Sequence, residues 1–323
     1  MGSASWDTIG FIGLGAMGRP MAQQLLAKIP NSTQLYIFDI VEEVMDEFVA
    51  LNPSKAIAAE SPRHVAERSQ VIISMVPEGS HVHAVYLQEN SGVCSTALHD
   101  KLLIDCSTID TATSLAVKDY IAANHNYASF YDAPVSGGVL GAQKGTIAFF
   151  LGCAETDPNL PVLTDILCLM GKQVIACGGP SLGLSAKLCN NYLSGLIAIA
   201  DSEALNIGIR AGLDPRVLSN VFGAGTAQNA ICDKFNPCPG VVADAPSSNG
   251  YTGGFKIQLM RKDFSLAVSM ADQVGARLVL GDAGLKTYEE AANDSNCKDL
   301  DSRVVFRFLG GNESWAEKFS SPC

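Results

Sequence analysis

An apolar run at residues 9–12 passes directly into Gly13-Leu14-Gly15-Ala16-Met17-Gly18, and a strand that empties into such a turn can continue in few ways. The first glycine permits a tight turn, the second lets the backbone approach a pyrophosphate, and the third lets the following helix pack closely on its own strand. Free amides and the positive dipole end at that helix start favour phosphate. Taken alone, the motif is equally an ordinary glycine turn, so its weight depends on the rest of the chain. Short β-branched runs come next at residues 35–38, 71–76, 102–106, 130–132, 148–151 and 174–177, separated by helical patterns. Most are continuously apolar, as strands covered on both faces are. Ser61-Pro62 and Thr108-Ile109-Asp110 ahead of Ala112 supply helix starts between them. The alternation predicts an α/β Rossmann domain with a mostly parallel sheet over residues 1–182.

At Gly178-Gly179-Pro180-Ser181 the alternation stops, and a long helix runs from near Leu184 to Ala211, ended by Gly212. Beyond it come only helical patterns, at residues 215–222, 227–235, 257–275 and 284–292, with a loop rich in Pro and Gly over 236–254. The expectation is an all-helical C-terminal domain over residues 183–323, joined by a long interdomain helix. A length of 323 residues agrees with two cores.

Hydrophobic residues make up 47% and charged residues 17% of the chain, which excludes disorder and predicts surface buried between subunits, as in a homodimer or homotetramer. The formal charge of -11 argues against nucleic acid or an anionic membrane as a partner, because an acidic surface repels phosphate. No apolar run approaches the roughly 20 residues of a membrane span. Ten scattered cysteines read as the reduced thiols of a soluble intracellular protein. Neither they nor His81 and His83 have metal-ligand spacing, so no metal is expected. Residues 1–7 are too few for a targeting helix, and Trp6 stands where a myristoylation signal has Ser or Thr.

The second predicted strand ends in Asp39, where a carboxylate would accept both hydroxyls of an adenine ribose and repel a 2′-phosphate, favouring NAD over NADP. Its alternative is a cap on a helix at Glu42. Val76-Pro77 and Thr108 follow strand ends, where ligands bind in open α/β sheets, although plain loop chemistry also accounts for them. Asp132-Ala133-Pro134-Val135-Ser136-Gly137-Gly138 offers a hydroxyl and unobstructed amides for a carboxylate, or is merely a loop. On the long helix, Lys187, Asn191 and Ser194 recur at offsets of four and three, forming one polar stripe on an otherwise apolar surface. If that stripe is buried, desolvation lowers the lysine pKa toward neutrality and suits it to acid–base work; otherwise Lys187 is a solvated residue beside a helix start.

Four blocks in order carry a resemblance: Phe11 to Gly18, Ile104-Asp105-Cys106-Ser107-Thr108-Ile109-Asp110, Asp132 to Gly138, and Ala186-Lys187-Leu188-Cys189-Asn190-Asn191. They resemble the signature blocks of the β-hydroxyacid dehydrogenase family over about residues 9–308, and the stretch from Asn236 through Gly253-Gly254-Phe255 resembles one branch of it. The resemblance implies NAD-dependent oxidation of a small 3-hydroxy acid to its semialdehyde, first among them 3-hydroxyisobutyrate to methylmalonate semialdehyde. Lys187 would be the acid/base, and Asn191 would hydrogen-bond the reacting oxygen or position Lys187. Ser136, Gly137, Gly138 and Phe255 would bind substrate, and Lys262 would sit at the nicotinamide end. A semialdehyde reductase of the tartronate or succinic type, or a non-catalytic dinucleotide-binding scaffold, is the alternative. The compartment would be mitochondrial by resemblance, or cytoplasmic. Two departures bear on substrate. Ser181-Leu182-Gly183 replaces the family's Gly-x-Gly, and residues 225–231 carry small and polar groups where close relatives show a pocket tryptophan.

Overall fold

In a computed structural model, residues 6–319 are described; the readings of the amino terminus and Cys323 lie outside the described residues. Strands β1 (Thr8–Ile12), β2 (Gln34–Phe38), β3 (Ala56–Ala58), β4 (Val71–Ser74), β5 (Leu102–Asp105) and β6 (Ser129–Asp132) build one sheet in the order β3-β2-β1-β4-β5-β6. Every pairing in it is parallel. The order reverses between β1 and β4, which opens a crevice beyond the carboxyl ends of those two strands. A second sheet holds β7 (Val135–Ser136), β8 (Ile147–Leu151) and β9 (Gly171–Ala176), with β7 antiparallel to β8. The last two predicted strands therefore leave the main sheet.

Around these strands run α1 (Gly18–Lys28), α2 (Glu42–Leu51), α3 (Pro62–Arg68), α4 (Gly79–Leu87), α5 (Thr111–Asn124), α6 (Gly138–Lys144) and α7 (Leu160–Leu167). Strand residues alternate between two buried clusters, as a period of two demands. Ile9, Phe11, Ile73 and Ile104 join one with Met21 and Leu25 of α1. Ile12, Ile72, Leu103 and Phe130 join the other with Val65 of α3. Ser61 caps α3 by accepting from His64 N at 3.1 Å, with Pro62 in the first turn, and Asp110 caps α5 by accepting from Thr113 N at 2.7 Å. β4 stops at Ser74, two residues short of the predicted end, because Val76 N is taken by Ser107 Oγ at 2.9 Å instead of by a neighbouring strand.

Helix α8 (Leu182–Ala211) begins two residues before its predicted start and ends as expected. Gly212 adopts φ +97°, and Leu213 N reaches back to Gly208 O at 2.9 Å. The rest is helical: α9 (Pro215–Ala224), α10 (Ala230–Phe235), α11 (Ile257–Gln273) and α12 (Gly281–Asn293). Helix α10 starts three residues later than predicted, because Asn229 caps it through Cys232 N at 2.8 Å. Spatial clustering divides the chain into compact units Met1–Lys187 and Leu188–Cys323. In the second, Ile257, Met260, Phe264 and Tyr288 pack with Tyr192 and Leu196 of α8, and the Tyr288 hydroxyl donates to Gly195 O at 2.8 Å. The nine described cysteines are free. Among the described residues no helix is long and apolar enough to cross a membrane.

Candidate active site

The glycines of the first turn are not equivalent. Gly13, at φ +93°, could carry no side chain without striking the Met75 carbonyl, and a Cβ on Gly18 would strike the Gly13 carbonyl. Both are fixed by the chain's own packing. A Cβ on Gly15 would meet nothing within 4 Å, so internal packing does not require glycine there, whereas a closely approaching phosphate would. Gly15 and Ala16 are exposed, Met17 is half-buried, and Leu14 is buried. Helix α1 starts without a side-chain cap, so no side chain competes with a ligand for the amides of the turn. Beside the turn lies a cavity of about 480 Å³ whose lining includes Leu14, Gly15, Ala16, Arg19 and Val44. These features fit a dinucleotide.

Asp39 stands just past β2 and accepts from Leu14 N at 2.6 Å and from Val41 N at 3.0 Å. It does not cap α2, whose N-cap is Val41 and which has no side-chain cap. The carboxylate is instead tied to the glycine turn, with lone pairs left over for further donors.

Under the carboxyl edge of the sheet lies a buried polar network that no spacing in the sequence announces. Asp105 Oδ1 accepts from Ser74 Oγ at 2.7 Å and Ser107 Oγ at 2.7 Å, and Ser74 Oγ also contacts the Tyr86 hydroxyl at 2.9 Å. Since Ser107 Oγ also holds Val76 N, this network fixes the segments carrying Val76, Pro77 and Thr108. Val76 and Thr108 are half-buried and Pro77 is exposed.

Ser136 belongs to β7, paired opposite Ala148, so the expected loop is partly strand. Gly137 (φ +135°) and Gly138 (φ +63°) follow in conformations that side chains resist. Lys187 and Asn191 are buried, at 8% and 6% exposure, and lie one turn apart on α8; Ser194 is half-buried. Asn191 Nδ2 donates to Asp263 Oδ2 at 2.6 Å, and Lys262 Nζ stands 3.3 Å from Asp263 Oδ1. Asp263 thus joins two predicted residues and turns the carboxamide oxygen of Asn191 away from itself. It was legible in outline. Ile257, Met260, Phe264, Ala267 and Ala271 mark the buried stripe of α11, and Asp263 is an acid on that stripe. Phe255 is half-buried, its N–H held by Asp301 Oδ2 at 2.7 Å.

Both parts of the chain are similar to known proteins. A family model described as the NAD binding domain of 6-phosphogluconate dehydrogenase matches residues 8–179. One described as NAD-binding of NADP-dependent 3-hydroxyisobutyrate dehydrogenase matches residues 182–309. The chain is 41% identical over 313 residues to a Dictyostelium discoideum protein described as a probable mitochondrial 3-hydroxyisobutyrate dehydrogenase, covering 97% of this chain and 94% of that one. It is 37% identical to an NAD-dependent L-serine dehydrogenase of Pseudomonas aeruginosa, covering 87% and 90%. The solved structure of Mycobacterium tuberculosis 3-hydroxyisobutyrate dehydrogenase with L-serine is similar at a TM-score of 0.84 and 31% identity, over 94% of this chain and 99% of that one.

Burial raises the Asp105 carboxyl from 3.8 to about 6, against the lowering effect of its serine hydrogen bonds, and nearby Asp132 adds to the rise. An acid whose folded pKa lies above its unfolded value stabilises the fold below about pH 4, and that contribution is lost as pH rises through about 6. Asp105→Asn, neutral throughout and of the same size, should therefore raise or preserve the urea midpoint at pH 7 and flatten its fall between about pH 4 and 7. A markedly lower midpoint at pH 7 would mean that the ionised carboxylate is required.

Proposed function

The chain belongs to the 3-hydroxyisobutyrate dehydrogenase family, and from that membership we propose that it oxidises 3-hydroxyisobutyrate to methylmalonate semialdehyde with NAD, a step of valine catabolism. The observation that carries this reading is Lys187, a buried lysine on an apolar helix with Asn191 one turn beyond. Bound NAD supplies the acceptor for the hydride that leaves the alcohol carbon. Lys187 takes the hydroxyl proton as that carbon–hydrogen bond breaks, so the alcohol becomes a carbonyl and the amine becomes ammonium. Asn191, its amide held by Asp263 and its oxygen accepting from Asn190 Nδ2 at 3.1 Å, is oriented one turn from the lysine, where it serves the reacting hydroxyl or positions Lys187. Ser136 and the amides of Gly137 and Gly138 take the substrate carboxylate, and Phe255 supplies an apolar wall. Gly13 through Gly18 and Asp39 hold the pyrophosphate and ribose, Val76, Pro77 and Thr108 flank the rings, and Lys262 serves the nicotinamide end. Residues 1–182 form the coenzyme domain and residues 183–323 the substrate and assembly domain.

L-serine, also a 3-hydroxy acid, is the second reading. The serine dehydrogenase relative and the small or polar, exposed residues 225–228 favour it. Mitochondrial and bacterial relatives and the free thiols support a location inside the cell. Exposed Leu193 and Ile207 on α8, with Val217 and Val221 on α9, support a homo-oligomer built through these helices.

NAD reduction should be seen across a panel holding 3-hydroxyisobutyrate and L-serine, with kcat/KM highest for one of the two. Lys187→Ala should lower turnover by about a hundred- to ten-thousand-fold while leaving NAD affinity near the wild-type value; an active variant rejects the acid–base assignment. Asp39 should make NADP the weaker coenzyme, and steady-state preference for NADP would overturn its role. Sedimentation at micromolar concentration should give at least a dimer, whereas a strict monomer would remove the proposed contact.

A further inference from the structure

The position of Lys187 depends on where α8 begins, and α8 begins on a carboxylate from the main sheet. Asp132, the last residue of β6, is 2% exposed. Its Oδ1 accepts from Ser181 N at 2.7 Å and its Oδ2 from Leu184 N at 2.8 Å, across sequence separations of 49 and 52 residues. Surrounding residues leave room for it. A Cβ on Gly152 would overlap the Asp132 carboxylate, and one on Gly183 would lie 2.8 Å from its Oδ2 and against the Phe150 carbonyl. Ser181 occupies a left-handed conformation, φ +64°, at the first position where the family's Gly-x-Gly is altered. Its N–H is the one aimed at Oδ1, and its hydroxyl donates to Thr111 O at 3.3 Å. The serine thus keeps a backbone shape that glycine adopts freely, and the capping bond is retained.

Lys187 follows Leu184 by three residues, on the next turn of the same helix face. A negative group at a helix start also meets the positive end of the helix dipole. Burial moves the Asp132 carboxyl above the ordinary range while the amides of Leu184 and Ser181 pull it back.

We infer that Asp132 is the positioning residue for Lys187: by holding the first amides of α8, it sets the rotation and advance of that helix and so the reach of the amine. The inference rests on the acid–base reading of Lys187. Asp132→Asn keeps the size of the side chain but can accept only one of the two bonds, turning its own N–H groups against the other. Gly183→Ala leaves the charge intact and forces the start of α8 away from both the Phe150 carbonyl and the carboxylate, displacing the helix itself.

Both variants are compared with wild type, Lys187→Ala and Ser61→Ala, which removes the unrelated cap on α3, in full-length protein. The readouts are kcat, NAD dissociation constant by fluorescence titration, and melting temperature. Asp132→Asn and Gly183→Ala should each lose about 10- to 100-fold in kcat, with NAD affinity within about twofold of wild type. Ser61→Ala should melt earlier with kcat unchanged, separating misplacement from general loss of stability. If Asp132→Asn does not fold, Gly183→Ala decides alone. Turnover within about twofold of wild type in the folded variant overturns the inference when Lys187→Ala is inactive. An active Lys187→Ala removes the acid–base reading first, and this inference with it.

Discussion

Three polar side chains stand in register across the carboxyl edge of an otherwise apolar parallel sheet: Ser74, Asp105 and Asp132. All are buried, so their hydrogen bonds are made within the protein, and only Asp105 Oδ2 among their side-chain oxygens goes without a partner among the described residues. Ser74 and Asp105 bind each other, and Asp105 binds the serine that holds Val76. Asp132 takes the amides at the start of α8. An apolar residue in this row would leave those amides and hydroxyls without partners, at about 1–3 kcal/mol for each. The row thus converts a sheet edge into fixed attachment points for the strand-end loops and the start of α8.

Further along α8, a second carboxylate repeats the arrangement from a neighbouring helix. Asp263 is 2% exposed and engages Asn191 and Lys262. Two side chains read as functional are thereby oriented by a residue with no proposed chemistry of its own. Buried ionic groups of this kind are weak evidence for stability, since desolvation offsets their attraction. Their value here lies in orientation, because a carboxamide can face either way until a carboxylate chooses for it.

The sequence disclosed those parts of the molecule whose cause is local. The glycine turn, the caps Ser61 and Asp110, the terminator Gly212 and the polar stripe of Lys187 and Asn191 follow from spacing and residue type, and the structure places them as read. What spacing could not disclose depends on pairing across long separations. Val135 and Ser136 are too few to signal a strand, and become one only because β8 lies beside them. The bonds of Asp132 reach about fifty residues along the chain. Gln34–Phe38 and Ile147–Leu151 look alike in sequence yet enter different sheets, because β6 ends the first sheet and the second is nucleated by its own neighbour pairs. Asn229 lies in the stretch of small and polar groups at 225–231, and only the fold shows that it caps α10 and donates to Asp201 at 3.0 Å.

Catalysis, as proposed, turns on one amine reaching one hydroxyl. A crystal structure of the full chain with NAD and a non-reactive 3-hydroxy acid analogue measures that contact directly. Lys187 Nζ should lie within about 3.2 Å of the analogue's hydroxyl oxygen, the reach of a group that accepts its proton. A complex in which that oxygen is held by another side chain, with Nζ turned away from the ligand, would contradict it.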